Sequence, residues 1–348
     1  MNIEIRKAGF INKGAELMLY AILEKLKPMY PEARFIMAPH KNAPFEKRAA
    51  LKLWQKAWYW RYKVQWGDLA GLLPKKTRES YGIVLDREVD VVLDAAGFAY
   101  SEQLSEKTCT ELARSCKRWK KNGRTIILLP QAFGPFTTDN NKEKIRLIAD
   151  CAGLIFAREQ ASYKYLVDIT GERPNIKTAP DFTNLLQGKV PEYFNYEEND
   201  YCIIPNHRMI NKTKGKDKEA YLPFLIKCIQ YLISKNKKPF ILVHEGAKDH
   251  QLAIEISNAV NASVPVYTES DPLKVKGIIG ACKGVLGSRF HSLVSALSQG
   301  VPALGTGWSH KYEMLFRDYD FPEGIINVTA REQEISWRRL VSFFQSAL

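Results

Sequence analysis

Gly284-Val285-Leu286-Gly287-Ser288-Arg289-Phe290-His291-Ser292-Leu293-Val294-Ser295-Ala296-Leu297-Ser298-Gln299 is the stretch whose reading decides the fold. A short apolar run, Gly284–Leu286, stops at a glycine, and a helical pattern, Phe290–Gln299, opens almost at once. This is a strand feeding a helix through a tight loop. Ser288 is the expected N-cap. A helix N-terminus carries partial positive charge and N–H groups that attract anions. Arg289 adds a guanidinium fork suited to carboxylate or phosphate, and His291, in the first turn, can give or take a proton. The bland alternative is a buried helix start with a snorkelling arginine and a hydrogen-bonded histidine.

The same alternation runs along the whole chain. Strand patterns fall at Glu4–Ala8, Arg34–Ala38, Val89–Ala95, Thr125–Pro130, Leu154–Ala157 and Ile176–Ala179, then at Tyr201–Pro205, Phe240–His244, Val264–Tyr267 and Ala303–Thr306. Helical patterns lie between many of them, among them Gly14–Lys27, Glu102–Lys121, Lys218–Lys235 and Tyr312–Asp318. Strands alternating with helices mean parallel sheets with helical crossovers, and here the pattern occurs twice. The expected architecture is α/β: two doubly wound Rossmann-like domains, over 1–187 and 201–330, joined by a Gly-, Pro- and acid-containing linker at 188–200. Two such domains would present their strand C-terminal ends to one cleft, and ligands bind outside those ends. An amphipathic pattern over 331–348 predicts a last helix crossing back to the first domain.

Composition narrows the function class. At 348 residues, with 45% hydrophobic and 26% charged residues, the chain can bury two sizeable cores and is neither disordered nor a disulfide scaffold. No apolar run is long enough to span a membrane, and charged residues interrupt the N-terminus where a signal peptide would need its apolar core. The six cysteines are scattered without a Cys-x-x-Cys pair, which reads as reduced thiols in a cytosolic protein and no metal site. The net charge of +13 implies either an anionic partner (nucleic acid, a membrane surface or phosphorylated substrates) or simply a solvated basic surface, and charge alone does not decide between them.

Several other loops follow strands. Gly305-Thr306-Gly307-Trp308-Ser309-His310-Lys311-Tyr312-Glu313 offers His310, Lys311 and Glu313 to phosphate or sugar, and Trp308 to a sugar ring. Gly9-Phe10-Ile11-Asn12-Lys13-Gly14-Ala15-Glu16 is glycine-containing but is neither a Walker loop nor Gly-x-Gly-x-x-Gly; Asn12, Lys13 and Glu16 are its candidates. Arg158, after Leu154–Ala157, is a second guanidinium that either faces a ligand or pairs with Glu159 or Asp181. Asn206 in one loop, and His244 and Glu245 in another, occupy equivalent places in the second half.

Lys41–Lys76 is the most unusual stretch in composition, with Trp54, Trp58, Trp60 and Trp66, four of the seven tryptophans, among many lysines and arginines. Ala50, Leu53, Trp54, Ala57, Trp58 and Val64 fit one helical face, with Lys52, Lys56 and Lys63 largely off it. Tryptophan favours the headgroup layer and lysine favours anionic lipid, so Trp54, Trp58, Trp60, Lys52 and Lys56 are candidates for peripheral membrane contact. The alternatives are a helix packed on its own domain or an aromatic wall of a ligand groove. No recognised nucleic-acid module is present.

These motifs, in this order, resemble the polysaccharide pyruvyl transferase family over about residues 3–325. Most weight falls on Ser288-Arg289-Phe290-His291-Ser292, Gly300-Val301-Pro302 and Trp308-Ser309-His310-Lys311-Tyr312-Glu313; support comes from Gln131-Ala132-Phe133-Gly134-Pro135-Phe136, Ala157-Arg158-Glu159 and Ala179-Pro180-Asp181. The resemblance implies a fold like that of GT-B glycosyltransferases. It also implies transfer of pyruvate from phosphoenolpyruvate to a sugar hydroxyl pair as a cyclic ketal, during surface polysaccharide biosynthesis. It places Arg289 and His291 in the active site as catalytic residues and Arg158 at the donor. The chain departs from many members at Gly14-Ala15-Glu16 and at Asp94-Ala95-Ala96-Gly97-Phe98. On this reading Arg289, Arg158, Ser288 and Lys311 meet phosphoenolpyruvate, His291 is the general acid, and Glu16, Glu245 and Glu313 are candidate bases. No cofactor or metal is required beyond the donor. The expected partners are a lipid-linked saccharide acceptor and an anionic membrane surface, with no nucleic acid, and the expected place is the inner face of the cytoplasmic membrane. The alternatives are a GT-B glycosyltransferase using a nucleotide sugar and a non-enzymatic sugar- or lipid-binding protein.

Overall fold

The apolar runs of the first half line up as a parallel sheet. In chain order its strands, with one hairpin, are β1 (Asn2–Arg6), β2 (Arg34–Met37), β3 (Trp54–Lys56), β4 (Trp60–Arg61), β5 (Val64–Gln65), β6 (Ile83–Val84), β7 (Val91–Asp94), β8 (Phe98–Tyr100), β9 (Thr125–Phe133), β10 (Leu154–Ala157) and β11 (Ile176–Thr178). The computed structural model describes residues 1–61, 64–102, 106–212, 216–260, 262–307, 310–326, 328, 338 and 340–343. The sheet order is β11-β10-β9-β7-β1-β2-β3-β6, with β8 also on β9, while β4 and β5 form a separate antiparallel pair. Alternation along β1 sets its two faces. Ile3 and Ile5 join Leu19 and Ile22 of the helix Lys13–Met29 in one core, while Glu4 and Arg6 point to the opposite face. Asn12 starts that helix: its Oδ1 accepts from the backbone N–H of Gly14 at 2.9 Å and of Ala15 at 3.2 Å.

The second half repeats the plan. β12 (Tyr201–Ile204), β13 (Pro239–Val243), β14 (Val266–Thr268), β15 (Gly284–Gly287) and β16 (Ala303–Gly305) form a parallel sheet in the order β14-β13-β12-β15-β16. Strand order reverses between β12 and β15 here, and beside β1 in the first sheet. Reversals of this kind open crevices at strand C-terminal ends. The chain divides into two compact units, Met1–Phe182 and Thr183–Leu348.

One expectation meets a different structure. The helical face expected around residues 50–64 is not a helix. Trp54–Lys56 is β3, paired in parallel with β2 on one side and β6 on the other. Backbone pairing on both flanks outweighs the coincidental helical spacing of its apolar residues. The stretch 188–200, expected as the linker, lies along the second unit. Lys189 N–H donates to Leu273 O at 2.9 Å, and a Cβ on Gly277 would come within 2.2 Å of the Lys189 backbone, so the chain lies directly on the helix Pro272–Gly280. Phe194 packs edge-on against Tyr267 and tilted against Phe240. Most of 331–348 lies outside the described residues. Of that stretch, Leu340 is buried in the second unit's own core and Phe343 packs against it beside Phe321.

Candidate functional site

Four strands of the second unit deliver their C-terminal ends side by side. β15 leads into Ser288 and Arg289, and the helix Phe290–Leu297 begins with Arg289, not Ser288, as its N-cap. The reason is that Ser288 still belongs to the sheet: its N–H donates to Ile204 O at 3.0 Å, which turns the side chain inward. There its hydroxyl accepts from Tyr221 Oη at 2.7 Å and lies 2.7 Å from Thr306 Oγ1. The Ser288 carbonyl accepts from Asn206 Nδ2 at 2.7 Å and from Tyr312 Oη at 3.2 Å. Ser288 and Asn206 are buried and brace the loop, although the sequence marks both as ligand contacts.

The braced loop holds Arg289 in place. Its Nε donates to Asp249 Oδ2 at 2.9 Å, its Nη2 donates to the same oxygen, and its Nη1 donates to Glu245. Glu245 caps the helix Gly246–Ala259 and Asp249 sits in its first turn. Asp249 is only 1% exposed and also accepts from the His207 N–H at 3.0 Å. Sequence reading missed Asp249. The available signal was its spacing, four residues after Glu245 on a helix start, which stacks both carboxylates on one face.

His291, half-buried in the first turn, stands edge-on to Phe290 with ring centroids 5.4 Å apart. Lys311 Nζ lies 5.1 Å from the Phe290 ring and 5.4 Å from the Tyr312 ring. Burial pushes the Tyr312 phenol up to about 12, with Arg289 and Arg208 pulling the other way. The second unit thus brings Arg289, Glu245, His291 and Lys311 to neighbouring strand ends. His244 is buried just before Glu245, and Glu313 is exposed on the helix His310–Asp318. Trp308, Ser309 and the His310 side chain lie outside the described residues.

In the first unit, Asn12 caps its helix, Lys13 opens it, and buried Glu16 accepts from Tyr20 Oη at 3.3 Å. Arg158 adopts the intramolecular alternative: its Nη1 donates to Asp181 Oδ2 at 3.2 Å. Glu159 beside it bonds Ser162, whose hydroxyl accepts from Phe133 N–H at 2.7 Å, so this cluster fixes the loop after β9.

The membrane-contact candidates divide. Lys56 is 1% exposed, with Nζ 2.6 Å from both Glu4 and Asp86, so it cannot meet lipid. Trp54 is half-buried with the Arg34 guanidinium 4.3 Å from its ring centroid, and Trp58 lines a cavity. Lys52 is exposed; the Trp60 side chain is outside the description. Burial alone would raise the Asp86 pKa, but Lys56, Arg118 and Arg124 outweigh it and hold the carboxyl at about 2. Among the described residues no helix is long and apolar enough to cross a membrane.

Comparison with known proteins adds a sequence family and a fold. The family model for polysaccharide pyruvyl transferase matches residues 12–310. No curated protein matches the chain in sequence. Among solved structures, a Listeria monocytogenes protein described as a UDP-N-acetylglucosamine 2-epimerase aligns over 99% of this chain and 89% of its own, at 10% identity and a TM-score of 0.60. The Neisseria meningitidis UDP-GlcNAc 2-epimerase bound to UDP-GlcNAc aligns over 99% and 92%, at 9% identity and a TM-score of 0.57. Anabaena Alr3699/HepE, in complex with UDP and glucose, aligns over 99% and 97%, at 14% identity and a TM-score of 0.51. At these identities the likeness is one of fold, a GT-B-like pair of Rossmann-like units.

Proposed function

Because the chain belongs to the polysaccharide pyruvyl transferase family, we propose that it transfers pyruvate from phosphoenolpyruvate to two hydroxyls of a sugar as a cyclic ketal, in surface polysaccharide biosynthesis. The observation that carries this reading is the Arg289 fork, held at the end of β15 by Glu245 and Asp249, with His291 two residues on.

The chemistry needs little else. Phosphoenolpyruvate is a compact dianion or trianion, and a guanidinium at a helix N-terminus suits its carboxylate or phosphate. His291 protonates the methylene carbon, one sugar oxygen bonds to the central carbon, and phosphate leaves as the second oxygen closes the ketal. Of the two hydroxyl protons released, one balances the new methyl group and the other leaves with phosphate. Glu245, already on Arg289, is the base best placed to relay a proton when the donor displaces it. No cofactor is involved beyond the donor.

The acceptor in this reading is lipid-linked, at the inner face of the cytoplasmic membrane. The surface that supports membrane contact is not the strand carrying Lys56 but the short helix Gly67–Leu72 and its flanks. There Trp66, Leu69, Leu72 and Leu73 are exposed, Leu72 to 86%, close to Lys75 and Lys76.

Calorimetric titration of phosphoenolpyruvate into the wild type and Arg289→Ala tests the donor reading, with UDP and GDP as controls. The expected result is saturable binding weakened by about 10–100-fold in the variant. Tight UDP or GDP binding without phosphoenolpyruvate binding would instead favour a nucleotide-sugar glycosyltransferase. The solved neighbours that carry UDP keep that reading in view.

A further inference from the structure

A cavity of about 940 Å³ opens in the first unit where β1, β2 and β3 end. It contains none of Asn12, Arg158, Arg289 and His291, so the donor reading leaves it unused. Its place is where parallel sheets bind ligands: at strand C-terminal ends, beside the strand where the order reverses.

Its charge is unbalanced. Six cations line it, Arg6, Lys7, Lys56, Lys107, Arg114 and Arg118, against the carboxylates of Glu4, Glu106 and Glu111. Deep in the wall, Lys56 is matched by Glu4 and by Asp86 behind it. Arg118 Nε also reaches Asp86, at 3.6 Å, and Arg6 Nε reaches Glu4, at 3.9 Å, while Glu111 is shared between Arg6 Nη2 at 2.7 Å and Lys7 Nζ at 3.5 Å. Arg114 stands one helical turn along from Glu111, on the exposed side of the helix Glu106–Lys121. His40, which also lines the cavity, registers this field, its pKa lowered by partial desolvation and by Lys7 and Arg48.

The wall is also aromatic. Trp58 contributes a half-buried indole, with Lys56 Nζ 4.9 Å from its ring centroid. Trp119 lies beneath Arg6 at 4.7 Å, and its Nε1–H has no hydrogen-bond partner among the described residues. Flat apolar faces beside fixed polar groups suit the alternating C–H and O–H surface of a sugar. The volume lies near the top of the range for ligand pockets, roughly 300–1,000 Å³, and leaves room for about two or three sugar units.

We propose that this cavity binds an anionic saccharide, its rings against Trp58 and its phosphate or carboxylate against Arg114, Lys7 and Arg6. This deepens the transferase reading and rests on it for one point only: that the bound saccharide is the acceptor, which must then carry a negative charge of its own.

Titrations into the full chain, followed by calorimetry, test the assignment. The probes are galactose 1-phosphate, glucuronic acid and neutral methyl galactoside. At least one anionic probe binds saturably and at least about tenfold more tightly than the neutral one, and comparison of the two distinguishes phosphate from carboxylate recognition. Arg114→Ala, at an exposed position, weakens that binding by about tenfold without moving the thermal transition. Arg289→Ala leaves it unchanged, and phosphoenolpyruvate does not compete. Binding of the neutral sugar as tight as that of the anions, indifference to Arg114→Ala, competition by phosphoenolpyruvate or silence from both anions would each overturn the assignment. Loss of phosphoenolpyruvate binding in Arg289→Ala alongside such silence would leave the donor reading standing. Anionic-saccharide binding without phosphoenolpyruvate binding would do the reverse.

Discussion

At Arg289 three guanidinium nitrogens are bonded to two carboxylates before any ligand arrives. A guanidinium held this way is fixed in direction, and on the proposed reading the donor's oxygens would exchange for carboxylate oxygens rather than for water. In the proposed reaction His291 is the acid rather than the anion clamp, so its contribution should appear in the chemical step. His291→Gln is expected to lower kcat by about 10²–10⁴-fold. It should leave the calorimetric affinity for phosphoenolpyruvate within about threefold; a collapse of affinity with kcat intact would remove His291 from acid catalysis. A second residue-scale effect belongs to Asp86. Its carboxyl titrates at about 2 in the folded chain against an ordinary 3.8. A depressed folded pKa stabilises the charged form, so the contribution is complete above about pH 4 and disappears as the pH falls through 2. The shift corresponds to about 2 kcal/mol. Urea unfolding at pH 5 and pH 2.5 should show this loss in the wild type and a smaller one in Asp86→Asn.

At the scale of elements, β3 is a strand despite the helical spacing of the apolar residues around it. Trp54, Ala57 and Trp58 fall on a helical stripe, yet a lysine in that segment is buried because strand pairing carries it next to Glu4 of β1 and near Asp86. The charged residues of β1 were the local clue: Glu4 and Arg6 alternate with Ile3 and Ile5, a strand with one apolar and one charged buried face. A few residues on, Gly67–Leu72 exposes the apolar side chains that β3 does not. If they meet lipid, vesicles containing phosphatidylglycerol should sediment the wild type. Leu72→Asp should reduce the bound fraction several-fold while the thermal transition stays put, since Leu72 buries little. Equal sedimentation of both proteins would dismiss this element as the contact.

Over the whole molecule, two doubly wound units share a basic chain of net charge +13, and the cysteines follow the cores. All six are buried, and none is in a disulfide. Burial pushes the Cys109 thiol up to about 11 and raises those of Cys116, Cys202 and Cys228. Thiolate is the reactive form, so the folded chain should resist thiol reagents. Ellman's reagent is expected to titrate fewer than one thiol per native chain within minutes, and six in guanidinium chloride. Several fast native thiols would mean that one of the units opens readily.

The sequence alone determined the alternation of strands and helices, the two-unit α/β plan and the loops that carry Arg289 and His291. Each is written in spacing over a few residues: an apolar run marks a strand, and a polar residue just after it marks a strand end. Tertiary structure decided what those residues touch. Arg289 meets Asp249 across 40 positions, and Lys56 meets Glu4 across 52. It made Ser288 a brace and Arg289 the cap, turned Arg158 onto Asp181, and closed the cavity around Trp58 and Arg114. Local periodicity records which face of an element is buried. Strand order sets which buried charges become neighbours, and that order is a long-range property of the chain.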